Sequence, residues 1–232
     1  MTAQPLPAAA QEDRVPLAGV ARLCGGLLAR YVRLVAATSR FSGPPITQEQ
    51  VIFAIWHESN LAACTAAWRL RRNQRVISFS TRGFRGIVMN SMLEAMGSAV
   101  VALPEEGNKA EAGMLALELA RIGQAGESLV ISCDGPLGPY RVAKPGILLV
   151  ARQSGVPIQP WAVSCRPMLR LKGRWDRYLV PLPFGRMRVE QGTQIEVAAR
   201  APVKARLPEL QAELNRVQEI ADRRMTNRQR VP

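Results

Sequence analysis

The sequence predicts an α/β fold in which helices flank a mostly parallel central sheet. Short β-like runs alternate with helical patterns along the middle of the chain, which is typical of strand–helix units. Several of these runs are continuously apolar, as strands are when both faces of their sheet are covered. The 232 residues, 47% of them apolar, suit one large core. We therefore expect a single domain with terminal appendages.

The first 44 residues are expected to lie outside the sheet. Residues 1–16 are rich in Ala, Pro and Gln and lack the basic start of a secretory signal, which predicts a loose arm. In residues 17–44, apolar positions recur at helical spacing among arginines, as in a basic amphipathic helix. The arginines keep each apolar stretch below the about 20 residues that span a bilayer. This helix is expected either to pack on the domain's own core or to lie along a membrane.

Residues 45–200 are predicted to form the α/β domain, and residues 201–232 a C-terminal amphipathic helix with a basic tail. Gly97 and Gly155 stand where glycines commonly end helices. The sequence leaves the strand order and the direction of the last strands open. The predicted strands are 51–56, 75–79, 99–103, 128–133 and 157–163, and the helices between them are 61–72, 86–96, 109–122 and 146–154.

The charge balance indicates an anionic partner. The 31 Lys and Arg against 18 Asp and Glu give a net charge of +13, which suits a membrane surface, a phosphorylated substrate, an acidic protein or a nucleic acid. Cys24, Cys64, Cys133 and Cys165 are too scattered for a common zinc site and indicate a reducing compartment. With one histidine in the chain, the sequence predicts that no metal is needed.

His57 is the only histidine and follows the apolar run 51–56, where a buried strand would end. Its side chain can accept and return a proton near neutral pH, which predicts a general base; the alternative is a histidine that caps the next helix. Polar and glycine-rich residues also follow other predicted strands, at 80–86, 104–107 and 134–139. Because open α/β sheets bind ligands beyond the carboxyl ends of their strands, this convergence favours a functional His57.

The segment 131–146 is the densest motif of the chain. Gly135, Pro136 and Gly138 predict a tight turn whose backbone N–H groups can face an anion. Arg141 and Lys144 add positive charge suited to phosphate. The alternative is a plain strand-to-helix connection with solvated basic residues.

Two further groups of basic residues are candidates for anion binding. Arg82 and Arg85 follow the second predicted strand and either hold a phosphate-bearing head group or are solvated loop charges. The other group mixes basic and aromatic residues, as membrane interfaces and nucleic-acid platforms both do. Its members are Arg166, Arg170, Lys172, Arg174, Trp175, Arg177 and Tyr178.

Several of these motifs resemble the lysophospholipid acyltransferase superfamily. The closest branch is its bacterial domain-of-unknown-function group, which is related to the late acyltransferases of lipid A. The resemblance covers about residues 45–200. It rests on Trp56-His57, Asp134-Gly135-Pro136-x-Gly138-Pro139, Ala143-Lys144-Pro145-Gly146, Ser154-Gly155-x-Pro157-Ile158-x-Pro160, Trp175-Asp176-Arg177, and Leu182-Pro183-Phe184-Gly185-Arg186.

The resemblance implies a glycerolipid-acyltransferase-like fold and an enzyme that transfers an acyl chain to a hydroxyl of a lysophospholipid or glycolipid. The implied donor is acyl-CoA or acyl carrier protein, with no other cofactor. His57 matches the catalytic base of the superfamily. The resemblance also implies a peripheral protein at the cytoplasmic face of the inner membrane, with an anionic membrane surface and a lipid acceptor as partners and no nucleic acid.

The chain departs from the superfamily pattern at several positions. Many members carry an aspartate five positions after the histidine, where this chain has Ala62. Asp134, whose loop shares the strand edge, is the first candidate to orient His57, and Glu58 is the second. The loops after the second and third predicted strands also differ. These changes leave open a catalytically silent lipid or acyl-carrier binder on the same fold, whereas charge alone supports a nucleic-acid-binding protein.

Overall fold

The structure is a computed structural model that describes residues 16–47, 49–70, 76–81, 83–103, 109–135 and 137–227. Two of the predicted substrate-binding residues, Arg82 and Pro136, lie outside the described residues. So do most of the predicted arm, the loop after the third predicted strand, and the last five residues of the tail.

The described part of the chain contains six α-helices and seven strands, together with a short 3₁₀ turn at His57–Ser59. The helices are α1 (Ala18–Thr38), α2 (Asn60–Leu70), α3 (Gly83–Ala95), α4 (Lys109–Gln124), α5 (Gly146–Ser154) and α6 (Val203–Asn227). The strands are β1 (Arg40–Ser42), β2 (Ile52–Ile55), β3 (Val76–Thr81), β4 (Ala99–Leu103), β5 (Ser128–Ser132), β6 (Ile158–Arg170) and β7 (Leu179–Gln191).

The strands form one sheet in the order β1-β7-β6-β2-β5-β3-β4. Strands β6, β2, β5, β3 and β4 are mutually parallel, whereas β7 is antiparallel to β6 and β1 is parallel to β7. The predicted mostly parallel sheet flanked by helices is confirmed. Strand β2, which leads to His57, lies at the centre of the sheet and has β5 and β6 as neighbours.

Strands β1 and β7 and the second half of β6 were not among the predicted strands. Strand β7 contains Pro181, Pro183 and Gly185, which are read from sequence as breakers. It forms a long hairpin with β6 whose register shifts between Arg166 and Met168. The prolines lie next to this irregularity, where a regular ladder of backbone hydrogen bonds is not required.

Alternate residues of β2 face two different apolar layers, as expected for a strand that is covered on both sides. Phe53 and Ile55 pack in the layer formed with α1 and α2, whereas Ile52 and Ala54 pack in the layer formed with α4, α5 and α6. Helix α1 also packs with α2 and α3 in a further cluster on the first side. This double coverage explains why the segment before His57 is a continuous apolar run.

Two of the helix ends follow the predicted glycine pattern. Gly97 and Gly155 adopt φ angles of 77° and 74°, the left-handed conformation that glycine tolerates best. No described helix is both long enough and apolar enough to cross a membrane.

Candidate active site

His57 begins the 3₁₀ turn that follows β2, so the central strand delivers its side chain to the carboxyl edge of the sheet. The side chain is 25% exposed, while its Nδ1 atom is buried. The exposed part of the ring therefore lies away from Nδ1. This arrangement leaves the other ring nitrogen as the one that can meet a substrate.

Asp134 lies directly beside His57, with its carboxylate fully buried. Its Oδ1 accepts the backbone N–H of His57 at 3.0 Å and lies 3.4 Å from Nδ1 of the imidazole. Its Oδ2 accepts the backbone N–H of Arg141 at 3.4 Å. The two residues meet because β5, which ends at Ser132, is hydrogen-bonded to β2 in parallel register.

The separation of Nδ1 and Oδ1 is short enough for an ion pair but too long for an aligned hydrogen bond. Among the described residues, Nδ1 has no hydrogen-bond partner, and 3.4 Å exceeds the usual range of about 2.7–3.2 Å. Ala62, at the position where many superfamily members have an aspartate, is buried in the core between α2 and the sheet. A carboxylate beside His57 thus comes from the loop that follows the neighbouring strand β5 instead of from α2.

Glu58 is also buried, but its carboxylate is bound by other groups. Oε1 accepts a hydrogen bond from Nε of Arg141 at 2.6 Å. Oε2 accepts hydrogen bonds from Nη1 of Arg170 at 2.6 Å and from the hydroxyl of Tyr140 at 2.8 Å. Two guanidinium groups and a phenol thus satisfy this carboxylate, which ties the turn after β2 to the loop after β5 and to the end of β6.

The turn between β6 and β7 covers His57 from one side. The rings of Trp175 and His57 have centroids 5.4 Å apart and are inclined at 57°. Gly138 allows this approach, because a Cβ atom there would lie 2.6 Å from Cε3 of Trp175. Gly138 therefore packs beneath an aromatic side chain, while its predicted contact with substrate stays a prediction.

Asp176 anchors the same turn. Arg174 donates two hydrogen bonds to its fully buried carboxylate, from Nε at 2.9 Å and from Nη2 at 2.7 Å. Burial alone would raise the pKa of Asp176, but the hydrogen bonds and charge of Arg174 outweigh burial and hold this pKa below its ordinary value. Arg170 and Arg174 of the predicted basic patch thus neutralise buried acids.

Lys144 and Arg85 are the remaining described cations among the predicted substrate-binding residues. The Lys144 side chain lies over Gly135, where an added Cβ would be 2.9 Å from Nζ. Among the described residues, Lys144 makes no ion pair, and its side chain is half-buried at the loop of Asp134. Arg85 is exposed on α3, which follows the carboxyl end of β3.

Cys133 adjoins Asp134 but has the properties of a structural thiol. It is 2% exposed, and burial, followed by the charge of Asp134, raises its pKa well above the ordinary value. A thiol of this kind is a poor nucleophile. No group of three or more His, Cys, Asp or Glu side chains in the described parts of the chain is arranged to hold a metal ion.

A largely apolar cavity of about 120 Å³ lies on the α1–α3 side of the sheet. Part of its wall is polar, because Ser132 at the end of β5 and Asn60 at the start of α2 line it. The Ser132 hydroxyl donates a hydrogen bond to Oδ1 of Asn60 at 2.9 Å. Asn60 follows His57 by three residues, so the cavity begins close to the candidate base. Its apolar lining includes Phe53, Ile55, Ala63, Cys64, Ala67, Trp68, Met89, Leu93, Met96 and Trp161.

Sequence reasoning did not identify this cavity. The small side chains of Ala63, Cys64 and Ala67 lie on the side of α2 that faces the cavity. Small residues repeated on one face of a helix are the sequence signal that could have indicated the cavity. It also did not identify the contacts of Glu58 with Tyr140 and Arg170, because these depend on where the β6–β7 hairpin lies in the fold.

Comparison with known proteins identifies the fold of this chain but not its family. No protein-family model matches the chain. An uncharacterized protein of Rickettsia prowazekii (strain Madrid E) is 27% identical over 156 residues, which is 66% of this chain and 67% of that protein. The crystal structure of the 1-acyl-sn-glycerophosphate acyltransferase PlsC from Thermotoga maritima is similar with a TM-score of 0.52 and 11% identity, covering 90% of this chain and 85% of that one. The chain therefore shares the PlsC fold.

Proposed function

We propose that this protein is an acyltransferase that moves an acyl chain from a thioester, acyl-CoA or acyl carrier protein, to a hydroxyl of a lysophospholipid or glycolipid. The observation that carries the proposal is the pairing of His57 with the buried carboxylate of Asp134 at the carboxyl edge of the sheet. The likeness to the fold of an acyltransferase supports it independently of the motifs.

In the proposed reaction, the exposed nitrogen of His57 takes the proton of the acceptor hydroxyl as its oxygen attacks the thioester carbonyl carbon. The tetrahedral intermediate collapses, the carbon–sulfur bond breaks, and the imidazolium gives its proton to the leaving thiolate, which restores the neutral imidazole. Asp134 supplies a negative charge 3.4 Å from Nδ1, which stabilises the imidazolium between these two steps. No covalent acyl-enzyme is needed, in agreement with the buried state of Cys133.

The surroundings of His57 offer two binding regions for a lipid substrate. The apolar cavity beside Asn60 and Ser132 suits part of a hydrocarbon chain, because its lining is mostly aliphatic and aromatic. Lys144, whose charge is not used by the described protein groups, suits a phosphate on the acceptor. We assign the acyl chain to the cavity and the acceptor head group to the side of Lys144.

We propose that the protein lies at the cytoplasmic face of the inner membrane, and the exposed side of α1 supports a peripheral contact with an anionic membrane. The outer side of this helix exposes large apolar residues at helical spacing, including Val20, Leu23, Leu27 and Leu34, with Arg30 among them. A stripe of exposed apolar side chains with arginine beside it is typical of a helix that lies in the plane of a membrane interface.

The proposed function is tested by acyl transfer from labelled acyl-CoA and acylated carrier protein to a panel of lysophospholipids and lipid A precursors. The wild type should acylate at least one acceptor, and His57→Ala should lose that activity while retaining the wild-type melting temperature. A matched control is Gln153→Ala, a substitution on α5 away from the candidate site. Equal activity of wild type and His57→Ala would contradict the proposal.

A second candidate, a catalytically silent lipid or acyl-carrier binder, is favoured by one observation. Ala62 replaces the usual aspartate, and Nδ1 of His57 has no hydrogen-bond partner among the described residues. This candidate predicts that folded wild-type protein binds lipid vesicles or acylated carrier protein and acylates none of the acceptors in the panel.

A further inference from the structure

Four arginines surround a cleft at the edge of the sheet that the proposed reaction does not use. The cleft has a volume of about 500 Å³ and lies between the β1–β7 edge and the end of α6. It is lined by Arg40, Phe41, Ser42, Arg186, Arg188, Arg224 and Met225.

The strand register places three of these positive charges close together. Arg40 is the direct partner of Arg186 in the parallel β1–β7 pair, and Arg188 lies two residues further along the same face of β7. Like charges at facing positions of neighbouring strands repel, so fold stability does not account for this arrangement.

Only one acidic side chain in the described residues is bound to this cluster. Glu190 accepts hydrogen bonds from Nε of Arg188 at 2.6 Å and from Nη1 of Arg224 at 2.9 and 3.0 Å. In the described parts of the chain, Arg40 and Arg186 form no ion pair. Four guanidinium groups against one carboxylate leave an uncompensated positive charge in a concave surface, where an anion interacts with several donors at once.

The cleft and the exposed stripe of α1 belong to opposite sides of the sheet. Met187 packs in the layer that contains Val35 of α1, so its neighbours Arg186 and Arg188 point to the other side, where α6 lies. A protein that lies on a membrane through α1 therefore turns this cleft toward the solution. This orientation rests on the proposed membrane contact, whereas the arginine cluster itself does not.

We propose that this arginine cleft binds a soluble ligand that carries phosphate groups, at a site distinct from His57 and Lys144. Planar guanidinium groups from β1, β7 and α6 form forked hydrogen bonds with phosphate oxygens, for which lysine would be a poorer substitute. Glu190 holds Arg188 and Arg224 in place and competes with the ligand for their donors.

The experiment is calorimetric titration of the full chain with pyrophosphate. Arg40→Gln with Arg186→Gln should weaken binding by at least about tenfold, since this change removes two donor groups that have no ion-pair partner among the described residues. The matched control, Arg121→Gln with Arg200→Gln, removes the same charge at exposed positions elsewhere and should leave the affinity unchanged. Lys144→Gln should leave the affinity of the cleft unchanged as well, because Lys144 does not line the cleft.

A second variant acts in the opposite direction. Glu190→Gln frees Arg188 and Arg224 and should tighten pyrophosphate binding, which keeps the test valid even if the double variant does not fold. The proposal would be overturned if the wild type did not bind pyrophosphate. It would also be overturned if both double variants lost the same amount of affinity, because such a result would mean that the ligand is attracted by net charge alone.

A flotation assay separates a soluble ligand from a lipid head group. Vesicles of phosphatidylcholine with phosphatidic acid should carry the wild type and the Arg40→Gln/Arg186→Gln variant equally. Loss of flotation in that variant alone would place the cleft against the bilayer and would contradict a soluble ligand. These results do not depend on acyl transfer, so they are distinguishable from a failure of the proposed reaction.

Discussion

Glu58 and Asp134 are buried carboxylates close to His57, and their surroundings differ sharply. Glu58 is bound by Arg141, Arg170 and the Tyr140 hydroxyl, so its charge is more than balanced by the protein. Asp134 accepts backbone N–H groups, and its carboxylate lies 3.4 Å from the imidazole of His57 with no arginine paired to it among the described residues. A carboxylate that is already paired with two arginines has little left to offer an imidazolium, whereas Asp134 can respond when His57 gains a proton. On this difference we propose a catalytic role for Asp134 and a structural role for Glu58.

The largest effect is expected from Asp134→Asn, which removes the charge and keeps the size and the acceptor for the His57 N–H. Without that charge the imidazolium is less stable, so kcat should fall by about 10²–10⁴-fold while the fold is retained. Steady-state acyl transfer and the melting temperature measure the two consequences. An Asp134→Asn variant with wild-type kcat would remove the distinction between the two carboxylates.

The second prediction concerns Glu58→Gln, which should reduce stability more than chemistry. Breaking a buried ion pair costs about 3–5 kcal/mol, and we expect about 2–3 kcal/mol because both guanidinium groups are partly exposed to water. Urea unfolding gives this free energy. The double variant with Arg141→Gln should lose less than the sum of the single losses, because both changes disrupt one contact.

The covering of His57 by Trp175 gives a smaller effect. Gly138 has a φ of 76°, and a Cβ atom there would meet the Trp175 ring at 2.6 Å. Gly138→Ala should therefore cost about 1–3 kcal/mol and should lower activity by displacing Trp175. Gly126→Ala is the matched control, since Gly126 has a φ of 93° and no atom near the added Cβ, so it reports the backbone cost alone. Equal activity losses in both variants would show that Trp175 does not matter.

The smallest effect is a pH dependence at Asp176, the acid of the covering turn. Its pKa is lowered in the folded protein, so its contribution to stability is present above the ordinary value of 3.8 and is lost as the pH falls through the folded-state pKa. Arg174→Gln should therefore destabilise the protein at pH 7 and have less effect in strong acid, where Asp176 is protonated. Unfolding free energies of both proteins across this range test the sign, and a difference that grows toward low pH would contradict it.

The central strand and its histidine could be predicted because β2 is apolar on both faces and ends in a polar turn. The contact between His57 and Asp134 could not be predicted from the residues alone, because it depends on β5 being the neighbour of β2. Local sequence patterns do not give the strand order. Strand β7 was not predicted, because prolines and glycine in a sequence indicate a break in a strand. The links from Glu58 to Arg170 and from Arg40 to Arg186 join residues more than 100 positions apart, so they appear only once the β6–β7 hairpin is placed.

The most direct test of the paired roles of His57 and Asp134 is a double-mutant cycle on acyl transfer. The rates of wild type, His57→Ala, Asp134→Asn and the double variant are measured with the same donor and acceptor. If Asp134 acts only through the imidazole, the double variant should be no slower than His57→Ala alone, because the two residues work as one unit. A double variant slowed by the full product of both single effects would show that Asp134 acts independently of His57 and would contradict this account.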